Sequence, residues 1–454
     1  MQTLHRTFLL LLVLGSGSPF AHSASEMMFS WGEMKPMDFS SVIQAETFSS
    51  VSNQLTPQFD ERWISKALED PEHRVANLFQ VPKTLKPNVE FWLRVYTQYS
   101  THDVVFFDDQ HPEIVYEVLD FRELDRTARN RVVYEILRNR KIDRKIKAYK
   151  EAFRALQAGK KPQSDESSAI LRALKRAPHG HSYSQHLQNL RTQTGQRDNI
   201  VRGLLRADRL FPVMERLFVQ YGLPSELTRL PLLESSFQER ATSRVGAKGV
   251  WQFMPATGKE FMLVNEKLAI DERLSPYKST VAAAKLIHRH HKALQNNWAW
   301  TITSYNYGIR PLKKVARQYR DPEAVGQLVK SCKQRVLGWA GRSYYAGFLA
   351  IVHAEAYREL FYGQAPEVKE TSVQFTKLGK PTSLVQYAME QGISIDELRR
   401  LNPDVPNLKK MLPTGFWLVL PESASHHTVV SAQEWAETKR RIRPRVLPAK
   451  NHSG

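Results

Sequence analysis

From about Gln58 onward the apolar residues fall mostly into three- and four-residue steps, the spacing that gathers them on one side of an α-helix. Val132, Ile136, Ile142, Ile146, Tyr149, Phe153 and Leu156 follow it and predict a helical segment with nothing catalytic in it. One run departs from that period: Asp103-Val104-Val105-Phe106-Phe107 reads as a short strand. Gly159-Lys160-Lys161-Pro162-Gln163-Ser164 and Pro178-His179-Gly180-His181 interrupt the pattern with turn-forming residues, after which helical spacing resumes to about Tyr362. From Phe375 to Pro421 two short helical runs lie between two strand-like ones. These breaks predict a mainly α protein with a helical N-terminal domain at 61–160, a larger helical domain at 178–365 and a small βααβ unit at 372–422.

The ends carry a different signal. In residues 1–24, His5 and Arg6 precede an apolar run from Phe8 to Leu14 and small residues up to Ala24, the order of a cleavable secretory signal peptide. That run is too short to remain as a membrane anchor. Residues 25–60, rich in Ser, Met and Gln, predict a linker or arm, and 423–454 a basic tail. The expected location is periplasmic or secreted, with no lipid-anchoring cysteine behind the signal and no membrane span. Cys332 is the single cysteine, so no intramolecular disulfide forms, and beside Lys333 and Arg335 it reads as an ordinary cysteine rather than an activated thiol.

A net charge of +19 over 454 residues implies a polyanionic partner. Export removes nucleic acid from consideration and leaves a carboxylate-bearing wall polymer or an anionic membrane surface. Much of the excess lies in Arg138 to Lys161 and Lys439 to Arg445, which read as a solvated helix face and a terminal tail.

One carboxylate stands out. Gly222-Leu223-Pro224-Ser225-Glu226 is a helix start, and Leu227 and Leu230 lie seven and four positions before Glu234, on the same face. A carboxyl on an apolar face is desolvated, which favours its protonated form and lets it give a proton to a leaving oxygen near neutral pH. The alternative is a structural acid neutralised by Arg229 or Arg240; Pro231, which bends or restarts the helix just before Glu234, weighs against regular packing. Gly246 and Gly249 bracket a tight loop, and Trp251-Gln252-Phe253-Met254 offers an amide between large apolar surfaces. That combination suits a sugar, although the same aromatics fit a core more readily than a subsite. His288, His290 and His291 lack the i, i+4 spacing of a helical metal pair, and no phosphate loop or nucleophile elbow occurs, so neither metal nor cofactor is expected.

Glu234-Ser235-Ser236-Phe237, then Gly246 to Gly258 as GAKGVWQFMPATG, then Ser304-Tyr305-Asn306-Tyr307-Gly308 and Ser343-Tyr344-Tyr345 follow one another in the order of a known motif set. On these residues the chain resembles the soluble lytic transglycosylase family from about Gly195 to Tyr362. The resemblance implies a lysozyme-like domain that cleaves peptidoglycan glycan strands, with Glu234 as catalytic acid and base and Ser235 orienting it. It also implies that Gln252, Met254, Tyr305, Asn306 and either Tyr344 or Tyr345 line the glycan groove. Two departures stand out: Gly341-Arg342-Ser343 replaces the usual acidic pair before the late tyrosine, and Tyr307 replaces a small residue after Asn306.

A hydrolase needs a second carboxylate across the scissile bond. Glu239 and Glu260, the nearest in sequence, match no such position, whereas Asp271 or Glu272 come into question through folding. The resemblance implies instead that one acid suffices, the substrate closing a 1,6-anhydro ring. The unit at 372–422 resembles a LysM module, with Gly379-Lys380-Pro381-Thr382 where the module usually opens Gly-Asp-Thr, so its fold is better supported than glycan binding. A non-catalytic wall-binding or scaffolding protein and a muramidase-type hydrolase remain as alternatives, and residues 61–160 as a docking site for a cell-wall protein partner.

Overall fold

The computed structural model describes residues 59–175, 182–318, 339–364, 372–422 and 429–431. The expected signal peptide, nearly all of the arm at 25–60, the break at 178–181, Cys332 and most of the basic tail lie outside the described residues. The chain opens with α1 (Glu61–Glu69), capped by the Asp60 side chain on Arg62 N, and α2 (Lys86–Thr97), which has a proline in its first turn. β1 (Asp103–Asp108) then pairs antiparallel with β2 (Val115–Asp120) on one edge and β3 (Leu190–Thr194) on the other. Between β2 and β3 run α3 (Arg122–Thr127), the 27-residue α4 (Arg131–Gln157), α5 (Asp165–Lys175) and α6 (Tyr183–Asn189).

The first strand lies where the apolar run predicts it, but β2 and β3 break the expectation of helix alone. In β3 only Leu190 is fully buried, and a sequence of Leu-Arg-Thr-Gln-Thr becomes a strand by completing the edge of β1. The core also divides elsewhere than at the polar breaks. Phe106, Tyr116, Phe121, Tyr149, Phe153 and Ile170 form one cluster around the sheet and α4. Ile64, Leu93 and Val95 of α1 and α2 instead join the large core of the later helices, so the block expected at 61–160 is not one packing unit.

That large core is built by α7 (Arg197–Ala207), α8 (Phe211–Gln220), α9 (Leu230–Glu234), α11 (Pro276–Ala293), α12 (Trp298–Tyr307), α13 (Ile309–Gln318), α14 (Trp339–Ala356) and α15 (Arg358–Tyr362), with α10 (Pro255–Phe261) packing Phe261 against it and the two-residue strands β4 (Val264–Asn265) and β5 (Ile270–Asp271) between α10 and α11. α2 lies along α14, where Gly347 leaves room for the Tyr96 hydroxyl, 2.8 Å from where its Cβ would stand. On the same seam His353 of α14, fully buried, sets Nδ1 2.7 Å from Ala67 O, and Tyr357 donates to Asp70 Oδ1 at 2.8 Å.

The C-terminal unit runs β6 (Val373–Lys377), α16 (Leu384–Gln391), α17 (Ile395–Leu401) and β7 (Trp417–Pro421), with β6 and β7 antiparallel. This is the expected βααβ order. A third strand, β8 (Val429–Ser431), adds to the other edge of β6 within the segment read as tail. No helix among the described residues is long and apolar enough to cross a membrane.

Candidate active site

Glu234 is the last residue of α9, whose Leu230, Pro231 and Leu232 are buried. The chain then turns abruptly. Ser236 and Phe237 both take left-handed backbone angles, φ 48° and 57°, a conformation that strains any residue but glycine. Phe237 anchors the turn by packing edge-on against Phe211, centroids 5.3 Å apart, and Arg206 donates to Ser236 O at 3.1 Å. Nothing in Ser-Phe signals this turn in the sequence; the packing of Phe237 imposes it.

The half-buried carboxyl of Glu234 accepts a hydrogen bond from the Tyr344 hydroxyl. Burial pushes its pKa up to about 7, while the Tyr344 bond pulls it down. Neither arginine named as a neutralising partner fills that role. Arg229 is paired with Glu215 and, at 3.0 Å, with Glu355, and Arg240 is exposed. Between the two late tyrosines, Tyr344 is the one joined to the acid; Tyr345 is buried in the core.

Ser235 is fully buried, and its hydroxyl donates to Val250 O at 2.8 Å. It therefore neither touches the carboxylate nor presents a surface to a ligand; it fastens the end of α9 to the glycine loop. That loop is a tight turn in which Lys248 and Phe253 exchange backbone bonds of 3.1 Å and Gln252 N donates to Gly249 O. Gly249 has φ +77°, and a Cβ there would stand 1.8 Å from Arg273 O, so only glycine fits. Gln252, at φ 48°, spends its amide nitrogen on Gly249 O (2.8 Å) and Ala241 O (3.4 Å), which leaves Oε1 as the end able to meet a ligand.

The aromatics flanking Gln252 are core. Trp251, fully buried, stacks on Phe218 with centroids 5.5 Å apart and donates Nε1 to Thr280 Oγ1 at 2.9 Å, and Phe253 is equally inaccessible. The half-buried residues beside them are Gln252 and Met254. Tyr305 donates its hydroxyl to Trp251 O at 2.8 Å, which ties α12 to the same loop, and both burial and the Glu234 charge raise its pKa. Asn306, next along α12, is half-buried, and its Oδ1 has no hydrogen-bond partner among the described residues.

The acids named as second carboxylates are each engaged elsewhere. Glu239 pairs with Arg209 at 2.8 Å and Glu260 with Arg289 at 2.7 Å. Asp271 pairs with Lys248 and Arg273, and Glu272 with Lys278 and the backbone of Leu263. The histidine cluster is likewise absorbed: His290 Nδ1 lies 2.8 Å from Ser304 Oγ, and His291 stacks on Trp298. Among the described residues no group of three His, Cys, Asp or Glu is placed to hold a metal.

Arg273 escaped the sequence reading altogether. It is almost fully buried, and its Nη1 donates to Gly246 O at 2.9 Å and Phe253 O at 3.0 Å, the two shoulders of the Gln252 loop. A lone arginine between two short strands and a helix carries no such signal in sequence.

Comparison with known proteins bears on these residues. Residues 219–325 match the family described as Transglycosylase SLT domain. A stretch of 185 residues is 27% identical to a protein of Escherichia coli (strain K12) named Membrane-bound lytic murein transglycosylase D, covering 40% of each chain. A stretch of 87 residues is 37% identical to a Putative tributyltin chloride resistance protein of Alteromonas sp. (strain M-1), 19% of this chain and 42% of the other. The chain thus matches about two fifths of the length of these relatives.

Proposed function

We propose that this chain, whose residues 219–325 match the transglycosylase SLT domain family, is a lytic transglycosylase that cleaves the β-1,4 bond between N-acetylmuramic acid and N-acetylglucosamine in peptidoglycan. The observation that carries the reading is Glu234 itself: a half-buried carboxyl with its pKa pushed up to about 7, hydrogen-bonded to Tyr344 and paired with no cation among the described residues. Protonated, it gives its proton to the glycosidic oxygen as the C1–O bond breaks. The N-acetyl oxygen of the muramic residue stabilises the positive charge at C1. Glu234, now ionised, takes the proton from the C6 hydroxyl, and the C6 oxygen closes on C1 to leave a 1,6-anhydro end.

The engagement of Glu239, Glu260, Asp271 and Glu272 with basic side chains favours this single-acid route over hydrolysis, which needs a second carboxylate to activate water. Gln252 Oε1, Met254, Tyr305 and Asn306 line the groove in this reading. The unpartnered Asn306 Oδ1 gives one acceptor for a sugar hydroxyl or amide. Retention of a raised-pKa acid also favours an enzyme over a wall-binding scaffold, which has no use for one.

Mass spectrometry of sacculi digested by the purified protein tests the proposal. Anhydro-ended fragments are expected from the native chain and none from Glu234→Gln. Reducing ends overturn the transglycosylase in favour of a hydrolase, and cleavage that survives Glu234→Gln removes Glu234 from the chemistry.

A further inference from the structure

The C-terminal unit meets the helical domain through a buried charge cluster next to Arg273. Lys278 of α11, 2% exposed, donates to Asp404 Oδ2 at 2.6 Å, lies 3.3 Å from Glu272 Oε1 and sits 4.1 Å over the Phe416 ring. Asp404 follows α17 in the C-terminal unit and is fully buried, and its backbone carbonyl accepts from Asp271 N at 3.1 Å. Asp271 in turn grips Arg273 through two hydrogen bonds of 2.8 Å, and Arg273 holds Gly246 O and Phe253 O. Apolar packing follows the same seam. Val373, Phe375, Leu401 and Val419 of the unit belong to the large core, and Ile270 of β5 belongs to the unit's own core.

The loop that carries Gln252 is therefore held from two sides. Ser235 and Tyr305 bind its Val250 and Trp251 carbonyls, and Arg273 binds its shoulders. A guanidinium forked onto a carboxylate has little freedom left, and a buried ion pair resists opening because each separated charge would be stranded. We infer that the C-terminal unit is a fixed brace for the groove loop, with Asp404, Lys278 and Arg273 as positioning residues for cleavage at Glu234, and not a glycan-binding module swinging on a tether. This rests on the reading above only in taking the loop as part of the groove.

Amide hydrogen exchange on the full chain, run beside sacculus digestion, tests the brace. Asp404→Ala strands Lys278 with one carboxylate; exchange at the amides of Lys248, Gly249, Gln252 and Phe253 is expected to rise about 10-fold or more, with kcat falling by a similar factor and its pH profile unmoved. The triple variant Lys278→Met, Asp404→Leu, Glu272→Gln removes all three buried charges together while Gln keeps an acceptor for Leu263 N, and is expected to restore both readouts. Arg273→Lys, which loses the fork but keeps the charge, is expected to loosen the loop while exchange in β6 and β7 stays native. If Asp404→Ala or Arg273→Lys loosens only its own surroundings and leaves the loop amides native, the brace is overturned. If loop exchange rises as expected but the native chain releases no anhydro product, the brace stands and the proposed function falls.

Discussion

The Tyr344 hydroxyl donates its hydrogen to Oε1 of Glu234, joining α14 to the end of α9 across 110 residues of sequence. Two opposed effects thereby meet on one carboxyl. Burial holds the proton on, the phenol favours its loss, and the sum leaves the acid near pKa 7, where it can both give and retake a proton.

Tyr344→Phe removes the effect that favours ionisation, so the pKa of Glu234 rises. The alkaline limb of the pH–rate profile is expected to move upward while kcat drops about 10-fold, because the carboxyl loses its orientation. A limb that moves downward contradicts the assignment.

Stability should depend on pH through the same group. A folded-state pKa of about 7 against an ordinary 4.5 means that the folded chain holds this proton more tightly than the unfolded one. That contribution is fully present below pH 4.5 and lost as pH rises through 7. Glu234→Gln, neutral throughout, should therefore be more stable than the native protein at pH 8, by up to about 3 kcal/mol, the gap narrowing toward pH 4.5. Urea unfolding at the two pH values checks it; a constant gap is inconsistent with a raised pKa.

Two glycines of the loop should respond unequally. Gly249→Ala drives a Cβ to 1.8 Å from Arg273 O at a positive φ, and a loss of about 3 kcal/mol or more is expected. Gly246→Ala meets only Pro255 Cγ at 3.6 Å and should cost about 1 kcal/mol from backbone strain alone. Denaturant midpoints of both variants make the comparison.

Ser235→Ala separates fastening from orientation. Loss of the 2.8 Å bond to Val250 O is expected to destabilise by about 1–2 kcal/mol and to lower kcat, with the pH profile unchanged because the hydroxyl does not touch the acid. A shifted profile would return Ser235 to direct contact with Glu234.

Much of the candidate site is legible in the chain because its signals are local. A charge among leucines at helical spacing marks Glu234, and the positive-φ requirement marks Gly246 and Gly249 as loop residues before any contact is known. The Trp251 and Phe253 side chains are ambiguous in sequence for a plain reason: an aromatic beside an amide suits a sugar and a core alike, and only the stack on Phe218 and the bond to Thr280 for Trp251, and burial for Phe253, decide for the core.

The sequence by itself determined the mainly helical content, the strand at Asp103–Phe107 and the βααβ order of the C-terminal unit, and it singled out Glu234 as the candidate acid, since each depends on side-chain period, turn chemistry or a charge set among leucines. Tertiary structure alone decided which tyrosine meets that acid, where β3 pairs, which core claims α1 and α2, and that Asp404 and Arg273 brace the loop. Each of these is a contact between residues far apart in the chain, and such contacts are selected by the packing of whole elements, which no local period encodes.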